Sequence, residues 1–148
     1  NQNYISIDEL VDSYSNTVRK KLEKCLISES IINFRQYSNA KWFVVSGSDE
    51  AELKNIFRKR GIDALFDGGI YGSPSSKDEI FKKIFNSDTI NKKLTLYIGD
   101  SKYDYISASK AKIDFVFLSN WSEFKHMKEF ALTNEIEIYN KFEDLINN

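Results

Sequence analysis

One stretch of the sequence, Leu94–Asp104, constrains the fold and the function of this chain more than any other. Its first part, Leu94–Gly99, is mostly apolar and typical of a buried strand, and the final glycine lets the backbone turn sharply. Asp100 then lies at the carboxyl end of the predicted strand, where open α/β sheets bind their ligands. Asp104 follows one helical turn later and can face the same crevice. Two carboxylates in this position suit a hard cation such as Mg²⁺.

The same stretch has a second interpretation, in which it is only a turn between a strand and a helix. In that case Asp100 or Ser101 caps the helix by accepting hydrogen bonds from its free N–H groups. The stretch alone favours neither interpretation, so a metal-binding role depends on what the rest of the chain supplies.

The rest of the chain alternates between helical and extended patterns. Ser6 and Glu9 form a capping box at the first helix, and Ser48 is expected to cap the third helix, which ends at Gly61. Apart from this third helix, the predicted helices cover residues 7–24, 28–37, 76–85, 101–112, 121–132 and 141–146. The predicted strands cover residues 42–46, 66–71, 94–99, 115–118 and 135–139. This alternation is typical of an α/β three-layer sandwich with a mostly parallel, Rossmann-like sheet.

Composition narrows the class of protein. A chain of 148 residues can form a single domain with a real core, and a net charge of -1 gives no reason to expect a nucleic acid or a membrane surface as partner. No apolar run approaches the roughly 20 residues of a membrane helix, and the first residues lack the pattern of a signal peptide. The single cysteine, Cys25, cannot form an internal disulfide. We therefore expect a cytoplasmic protein.

Two further clusters place polar groups at the ends of predicted strand–helix units. The segment Ser46-Gly47-Ser48 ends one strand and opens a helix, so its hydroxyls and free N–H groups can bind an anion. Serine caps after strands are common, so this signal alone is weak. Lys77 begins another helix, where a positive charge opposes the helix dipole. This misfit suggests a second role such as pairing with phosphate, and the alternative is a solvated surface lysine.

Together the three clusters supply, in chain order, a hydroxyl, an ammonium and two carboxylates. This order resembles the haloacid dehalogenase superfamily of phosphotransferases. Val44-Val45-Ser46 is similar to the second motif of that family, Lys77 within Gly72–Lys77 is similar to the third, and Gly99–Asp104 matches the fourth. The resemblance runs from about residue 7 to residue 118, which is most of the chain.

The resemblance implies a magnesium-dependent phosphatase that acts on a small phosphorylated metabolite. Ser46 and the Gly47 amide would hydrogen-bond the transferring phosphoryl group, while Lys77 would neutralise its charge and hold the nucleophile. Asp100 would bind Mg²⁺, and Asp104 would support that binding directly, through water or through a hydrogen bond. We therefore expect Ser46, Lys77 and Asp100 to converge at the carboxyl ends of the strands, where phosphoryl transfer needs positioned charge.

The first motif of the family is not found in the sequence. That motif is an apolar strand followed by Asp-x-Asp-Gly-Thr, and its first Asp is the nucleophile. The nearest segment, Ile5–Leu10, lacks that carboxylate, the Gly and the Thr. Residues 7–37 resemble instead the last helix of the family's cap and the helix that leads to the second motif. We therefore assign residues 1–27 to a remnant of a helical cap and residues 28–148 to the α/β core.

Two functions remain open from the sequence. In the first, the chain is an inactive fragment of a phosphatase that binds Mg²⁺ weakly or not at all. An upstream segment or a second chain would then complete the sheet between the strands ending at Ser46 and Gly99, which would lie about 10 Å apart. In the second, the chain is a non-catalytic phosphate-binding, metal-binding or regulatory module, with those two strands directly paired. A receiver-like signalling module fits less well, because its acids cluster after the first strand.

Overall fold

The structure, a computed structural model, describes residues 6–87 and 89–146. Within these ranges the chain is an α/β protein with seven α-helices and five strands, and all its strand pairs are parallel. The predicted fold class and parallel pairing are therefore confirmed. In chain order the elements are α1 (Ile7–Lys24), α2 (Glu29–Tyr37), β1 (Phe43–Asp49), α3 (Glu50–Lys59), β2 (Gly69–Ser73), α4 (Lys77–Phe85), β3 (Leu96–Gly99), α5 (Lys102–Ala111), β4 (Asp114–Leu118), α6 (Met127–Thr133), β5 (Glu137–Tyr139) and α7 (Phe142–Ile146).

The backbone divides into two compact units. One contains the described parts of residues 1–27 and 40–74, and the other contains those of residues 28–39 and 75–148. The assignment of residues 1–27 to a cap remnant and residues 28–148 to a core stays a prediction. Among the described residues, no helix is long and apolar enough to cross a membrane.

The first unit is built on the parallel pair β1–β2, in which Val44 lies opposite Ile70. Helix α3 packs against both strands and buries Leu53 and Ile56, and α1 packs against α3. Removing these aliphatic side chains from water is the main force that holds such a layer together. The register of β1 with β2 shifts between Val45 and Asp49, and the predicted anion-binding segment lies in this part of β1.

The second unit is built on a three-stranded parallel sheet with the order β3–β4–β5. Tyr97 of β3 lies opposite Phe115, and Phe117 of β4 lies opposite Ile138. Phe117 is fully buried and forms the centre of the core together with buried side chains of α6. The partly buried side chains that pack around this centre are Tyr105, Phe115, Phe124, Phe130, Ile136 and Ile138.

Reciprocal capping boxes begin three of the described helices. In each, a serine hydroxyl accepts the amide of the third helical residue, whose carboxylate accepts the amide of the serine. The pairs are Ser6–Glu9 at α1, Ser76–Glu79 at α4 and Ser101–Asp104 at α5. The predicted Ser6–Glu9 box is confirmed, so the segment nearest to the family's first motif is the start of a helix, and its Ile5 lies outside the described residues.

Two predicted boundaries near the anion-binding segment are wrong. Helix α3 is capped by Asp49, whose Oδ1 accepts the Glu52 amide at 2.8 Å, whereas Ser48 stays in β1. A carboxylate also complements the positive end of the helix dipole, which favours the aspartate as cap. Strand β2 runs from Gly69, where φ is +118°, to Ser73, and not over the predicted residues 66–71.

The predicted starts of β3 and α6 are also wrong. In both places local hydrogen bonds, which the pattern of apolar residues does not show, delay the start of the element. Leu94 lies in a 3-10 turn capped by Asn91 and is 85% exposed, so the predicted buried strand over residues 94–99 begins late, and Leu96 is itself 46% exposed. Helix α6 begins at Met127 and not at residue 121, because the preceding residues form turns and the Ser122 hydroxyl accepts the Phe124 amide there.

Candidate active site

Asp104 lies where the chain turns from β3 into α5. A Cβ built on Gly99 would lie 2.6 Å from Cβ and 2.8 Å from Cγ of Asp104, so the aspartate fills the space beside the glycine. This close approach, rather than a left-handed φ, is why a residue without a side chain is needed here. Asp104 is 4% exposed, so the Gly99–Asp104 segment buries one of its two carboxylates.

Both carboxylate oxygens of Asp104 accept hydrogen bonds. Oδ2 accepts from the Ser101 amide at 3.1 Å, from the Ser101 hydroxyl at 2.6 Å and from the Asp100 amide at 3.3 Å. Oδ1 accepts from the Tyr97 hydroxyl at 2.6 Å and from the Lys77 ammonium. These bonds offset the free energy of burying a charge. Asp104 therefore joins β3, α4 and α5 at one point.

Lys77 is the first residue of α4, and its ammonium pairs with Asp104 of α5. The lysine side chain is 11% exposed, so the alternative of a solvated surface lysine is wrong. Its Nζ lies 5.8 Å from the Tyr97 ring centroid and 5.4 Å from that of Tyr103, within the range of cation–π attraction. A carboxylate and two aromatic rings therefore hold the ammonium.

Protonation in this cluster follows from its contacts. Burial alone would raise the pKa of Asp104, but hydrogen bonds from Lys77, Ser101 and Tyr97 outweigh burial and hold that pKa below its ordinary value. Burial, followed by the negative charge of Asp104, raises the pKa of Tyr97. At neutral pH the cluster therefore contains an ionised Asp104 and a neutral Tyr97 that donates to it.

Asp100 differs from Asp104 because its side chain is exposed. Its carboxylate is nevertheless partly desolvated, and this desolvation, followed by the charge of Asp104, raises the pKa of Asp100. The Ser122 hydroxyl donates to the Asp100 carbonyl oxygen and so fixes the backbone at this position. A carboxylate whose ionised form is disfavoured in this way would be stabilised by a nearby cation.

Ser101 is the N-cap of α5, which confirms the capping interpretation for Ser101 and not for Asp100. The cap does not conflict with metal binding, because it uses Ser101 and Asp104 and leaves the Asp100 side chain exposed to solvent. The stretch can therefore be a helix start and a metal site at once.

The oxygen ligands present fit a Mg²⁺ ion that would bind to the Asp100 carboxylate. The oxygens of Asp104 already accept five hydrogen bonds, so this residue would support the ion through its bond to the Asp100 amide. Across residues 6–87 and 89–146, no group of three or more His, Cys, Asp or Glu side chains could hold a metal. Mg²⁺ usually keeps several waters and binds through one or two carboxylates plus substrate phosphate, a pattern that a single carboxylate can meet. The metal-binding roles of Asp100 and Asp104 stay predictions.

Ser46 and Gly47 belong to the other unit, in the second half of β1. The Ser48 amide donates to Oγ of Ser46 at 3.1 Å, which leaves the hydroxyl hydrogen as a donor. A Cβ built on Gly47 would meet no atom within 4 Å, so the backbone there is open. Their phosphate-binding role, and their convergence with Lys77 and Asp100, stay predictions.

Three residues of this cluster were missed by the sequence reasoning: Tyr97, Tyr103 and Ser122. Tyr97 lies two residues before Gly99 and therefore on the same face of β3, and a polar hydroxyl on a buried strand was a usable signal. Tyr103 is not part of a periodic pattern of residues that would have indicated its contact with Lys77. Ser122 is 22 residues from Asp100 in sequence, so only the fold brings them together.

Comparisons with known proteins identify the family and the fold of this chain. A sequence model of the haloacid dehalogenase-like hydrolases matches residues 1–118. The chain is similar in structure to a haloacid dehalogenase-like family hydrolase from Streptococcus pneumoniae, with a TM-score of 0.74 and 19% identity over 97% of this chain and 71% of that one. It is also similar to a HAD-superfamily hydrolase from Ehrlichia chaffeensis, with a TM-score of 0.60 and 19% identity over 98% of this chain and 78% of that one.

A comparison with curated protein sequences found no match. At 19% identity the two solved structures show a shared fold. The family match covers most of the sequence, including the segments of Ser46, Lys77 and Asp100. The chain therefore belongs to the haloacid dehalogenase-like hydrolase family.

Proposed function

We propose that this chain carries the lysine and the metal-binding carboxylate of a magnesium-dependent phosphatase that acts on a small phosphorylated metabolite in the cytoplasm. The observation that supports the proposal most directly is the Lys77–Asp104 pair, whose carboxylate accepts the backbone amide of Asp100, while Asp100 itself is exposed. A phosphate dianion needs positive charge on more than one side, and an ammonium together with a carboxylate-bound cation provides it.

Each residue has a separate task in this proposal. Lys77 donates one N–H to Asp104 and has two further N–H groups for phosphoryl oxygens. Asp104 holds that ammonium in place and, through its bond to the Asp100 amide, orients the turn that carries the metal-binding carboxylate. Bound Mg²⁺ would supply charge stabilisation to the phosphoryl group.

The proposed reaction also needs a nucleophile, which we do not assign to these residues. No two aspartates in the sequence are separated by a single residue, as the family's first motif requires. Ser46 is a poor substitute, because its hydroxyl bonds to the Ser48 amide and not to a base that could activate it. We therefore propose that a carboxylate from outside residues 1–148 completes the catalytic site.

The lack of an Asp-x-Asp sequence also fits a second candidate function. In that alternative the chain is a phosphate-binding, metal-binding or regulatory module that uses the same contacts without catalysis. Both functions use these residues to bind phosphate and Mg²⁺, with the Mg²⁺ affinity expected to be weak while the carboxylates of the first motif are missing. They differ in turnover once a carboxylate nucleophile is supplied.

Calorimetric titration of inorganic phosphate into the whole chain, with and without Mg²⁺, tests the shared part of both functions. We expect Mg²⁺-dependent binding that Lys77→Met abolishes, because this change removes the ammonium. Lys110→Met is the matched control, since Lys110 also joins α5 to α4, through Asp78 at 2.9 Å, but lies 62% exposed in that pair. Binding should survive this control change.

Lys77→Met leaves Asp104 buried without its cation, so the thermal midpoint of the variant must be measured as well. Lys77→Arg keeps the positive charge and should recover part of the binding. Equal phosphate affinity in the wild type and in Lys77→Met, or no binding by the wild type at saturating Mg²⁺, would show that the proposal is wrong.

A further inference from the structure

The Tyr97 hydroxyl and the Lys77 ammonium share one acceptor, Oδ1 of Asp104. A carboxylate oxygen has two lone pairs, so it can accept both donors at once, each from its own direction. With the tyrosine on one lone pair, the ammonium is restricted to the other. The direction of the lysine head group therefore depends on the tyrosine hydroxyl as well as on the carboxylate.

The Tyr97 ring is itself held in a fixed position. It packs edge-on against Phe81 with the centroids 5.1 Å apart, and it packs against Phe115 of β4 with the centroids 5.9 Å apart. Phe81 lies one turn after Lys77 in α4, on the same face of that helix. The contact of the two rings therefore keeps the first turn of α4 aligned with β3, which is the alignment that Lys77 needs to reach Asp104.

Tyr103 forms a second aromatic contact with the same ammonium. Its ring centroid lies 5.4 Å from Nζ of Lys77, and Tyr103 is 51% exposed where Tyr97 is partly buried. The Tyr97 ring centroid lies 5.8 Å from the same Nζ. Two rings and one carboxylate oxygen thus limit the directions in which the free N–H groups of the lysine can point.

We propose that Tyr97 is a positioning residue for Lys77: its hydroxyl orients Oδ1 of Asp104, and its ring, together with that of Tyr103, restricts the ammonium to one direction. The use of that direction for phosphate rests on the function proposed above. The restriction itself does not, because it follows from the contacts among these four residues.

Nuclear magnetic resonance of the lysine ε-methylene groups tests the restriction directly. In the whole wild-type chain the rings of Tyr97 and Tyr103 should displace the Lys77 ε-methylene signals from the position of a free lysine. Tyr97→Phe keeps both rings and removes only the hydroxyl that shares Oδ1. We expect this change to move the Lys77 signals towards the free-lysine position.

Tyr105→Phe is the matched control for the loss of a hydroxyl. The Tyr105 ring also packs on Phe115, with the centroids 5.8 Å apart, but its hydroxyl bonds to Asn134 at 3.3 Å. The Lys77 signals should therefore stay in place in Tyr105→Phe. Tyr103→Leu, at an exposed position, serves as the second variant and should remove part of the displacement without removing the hydroxyl. Unchanged Lys77 signals in folded Tyr97→Phe, or in Tyr103→Leu if the former does not fold, would overturn the inference.

Calorimetry with inorganic phosphate and Mg²⁺ connects the positioning to binding. Tyr97→Phe should weaken phosphate binding by roughly threefold to tenfold, the scale of one lost hydrogen bond, and Tyr105→Phe should not change it. If the Lys77 signals shift as expected but the wild type binds no phosphate, the positioning stands and the proposed function fails. If the wild type binds phosphate and Tyr97→Phe changes neither signals nor affinity, the positioning fails and the proposed function stands.

Discussion

The side chain of Asp104 occupies the space in which a side chain of Gly99 would begin, since a Cβ on the glycine would lie 2.6 Å from Cβ of the aspartate. The glycine that ends β3 and the buried carboxylate of α5 are therefore a packed pair. Every contact that Asp104 makes with Lys77, Tyr97 and Ser101 depends on this approach.

The first prediction concerns this packed pair. Gly99→Ala should lower the free energy of unfolding by about 1–3 kcal/mol, the usual effect of adding a methyl group to a filled site, because Asp104 must move away from its donors. Gly47→Ala is the control, since a Cβ there meets no atom within 4 Å, and it should change stability by less than about 1 kcal/mol. Urea unfolding of both variants checks the difference, and equal effects would contradict it.

The second prediction separates the buried ion pair from an exposed one between the same helices. Asp104→Asn keeps the shape of the side chain but leaves Lys77 without its counter-charge, so it should lower the free energy of unfolding by about 3–5 kcal/mol. Asp78→Asn, which breaks the exposed pair with Lys110, should lower it by less than about 1 kcal/mol. Chemical denaturation of the two variants measures both losses of unfolding free energy. A larger loss in Asp78→Asn than in Asp104→Asn would refute the assignment of Lys77–Asp104 as the buried pair.

The third prediction is the pH dependence of stability in metal-free buffer. The pKa of Asp104 is lowered by folding, so the unfolded chain binds more protons just below the ordinary value of about 3.9. Its contribution is complete above that value and is lost as the pH falls through the lowered pKa. The pKa of Asp100 is raised, chiefly by desolvation, so its contribution has the opposite sign: it is complete below about 3.9 and is lost as the pH rises through the raised pKa.

Denaturation curves measured below and above pH ~3.9 test the sign of the Asp104 contribution and of the Asp100 contribution to stability. Asp104→Asn should remove the stability loss on the acidic side, and Asp100→Asn should remove the opposing loss above the ordinary pKa of aspartate. A stability profile that neither substitution alters would show that these carboxylates do not have the environments described here.

The local elements were predictable from sequence because their signals are local. The periodic apolar residues and the Ser6–Glu9 box define α1 as Ile7–Lys24, as predicted. The turn around Gly99 and the contact of Ser101 with Asp104 also lie within a few residues of each other. Capping and turn geometry depend on near neighbours, so a single sequence contains the information.

The tertiary part of the site was not predictable in the same way. Tyr97 reaches Asp104 only after β3 and α5 have packed, and the Ser122 hydroxyl reaches the Asp100 carbonyl across 22 residues. The exposure of Leu94 was also missed, because an apolar residue next to a strand is not always buried by it. These features depend on packing partners that no local pattern names.

The fourth prediction is that the purified 148-residue chain does not hydrolyse p-nitrophenyl phosphate in the presence of Mg²⁺. The sequence has no Asp-x-Asp, and Ser46 bonds to the Ser48 amide rather than to an activating base. A spectrophotometric assay of the purified chain, with Asp100→Asn as the control for contamination, checks this. Turnover that Asp100→Asn abolishes would show that these residues contain a nucleophile after all.

The most direct test of the proposed site is paramagnetic broadening of backbone amide signals by Mn²⁺, reversed by excess Mg²⁺, because it detects weak binding and locates it. Asp114→Asn is the matched control: it makes the same chemical change at the amino end of β4, the end opposite to Asp100 in the parallel sheet. We expect broadening of the amides of Gly99–Ser101 in the wild type and in Asp114→Asn, and its loss in Asp100→Asn. Broadening that persists in Asp100→Asn, or that centres elsewhere in the chain, would contradict the assignment of Asp100 as the metal ligand.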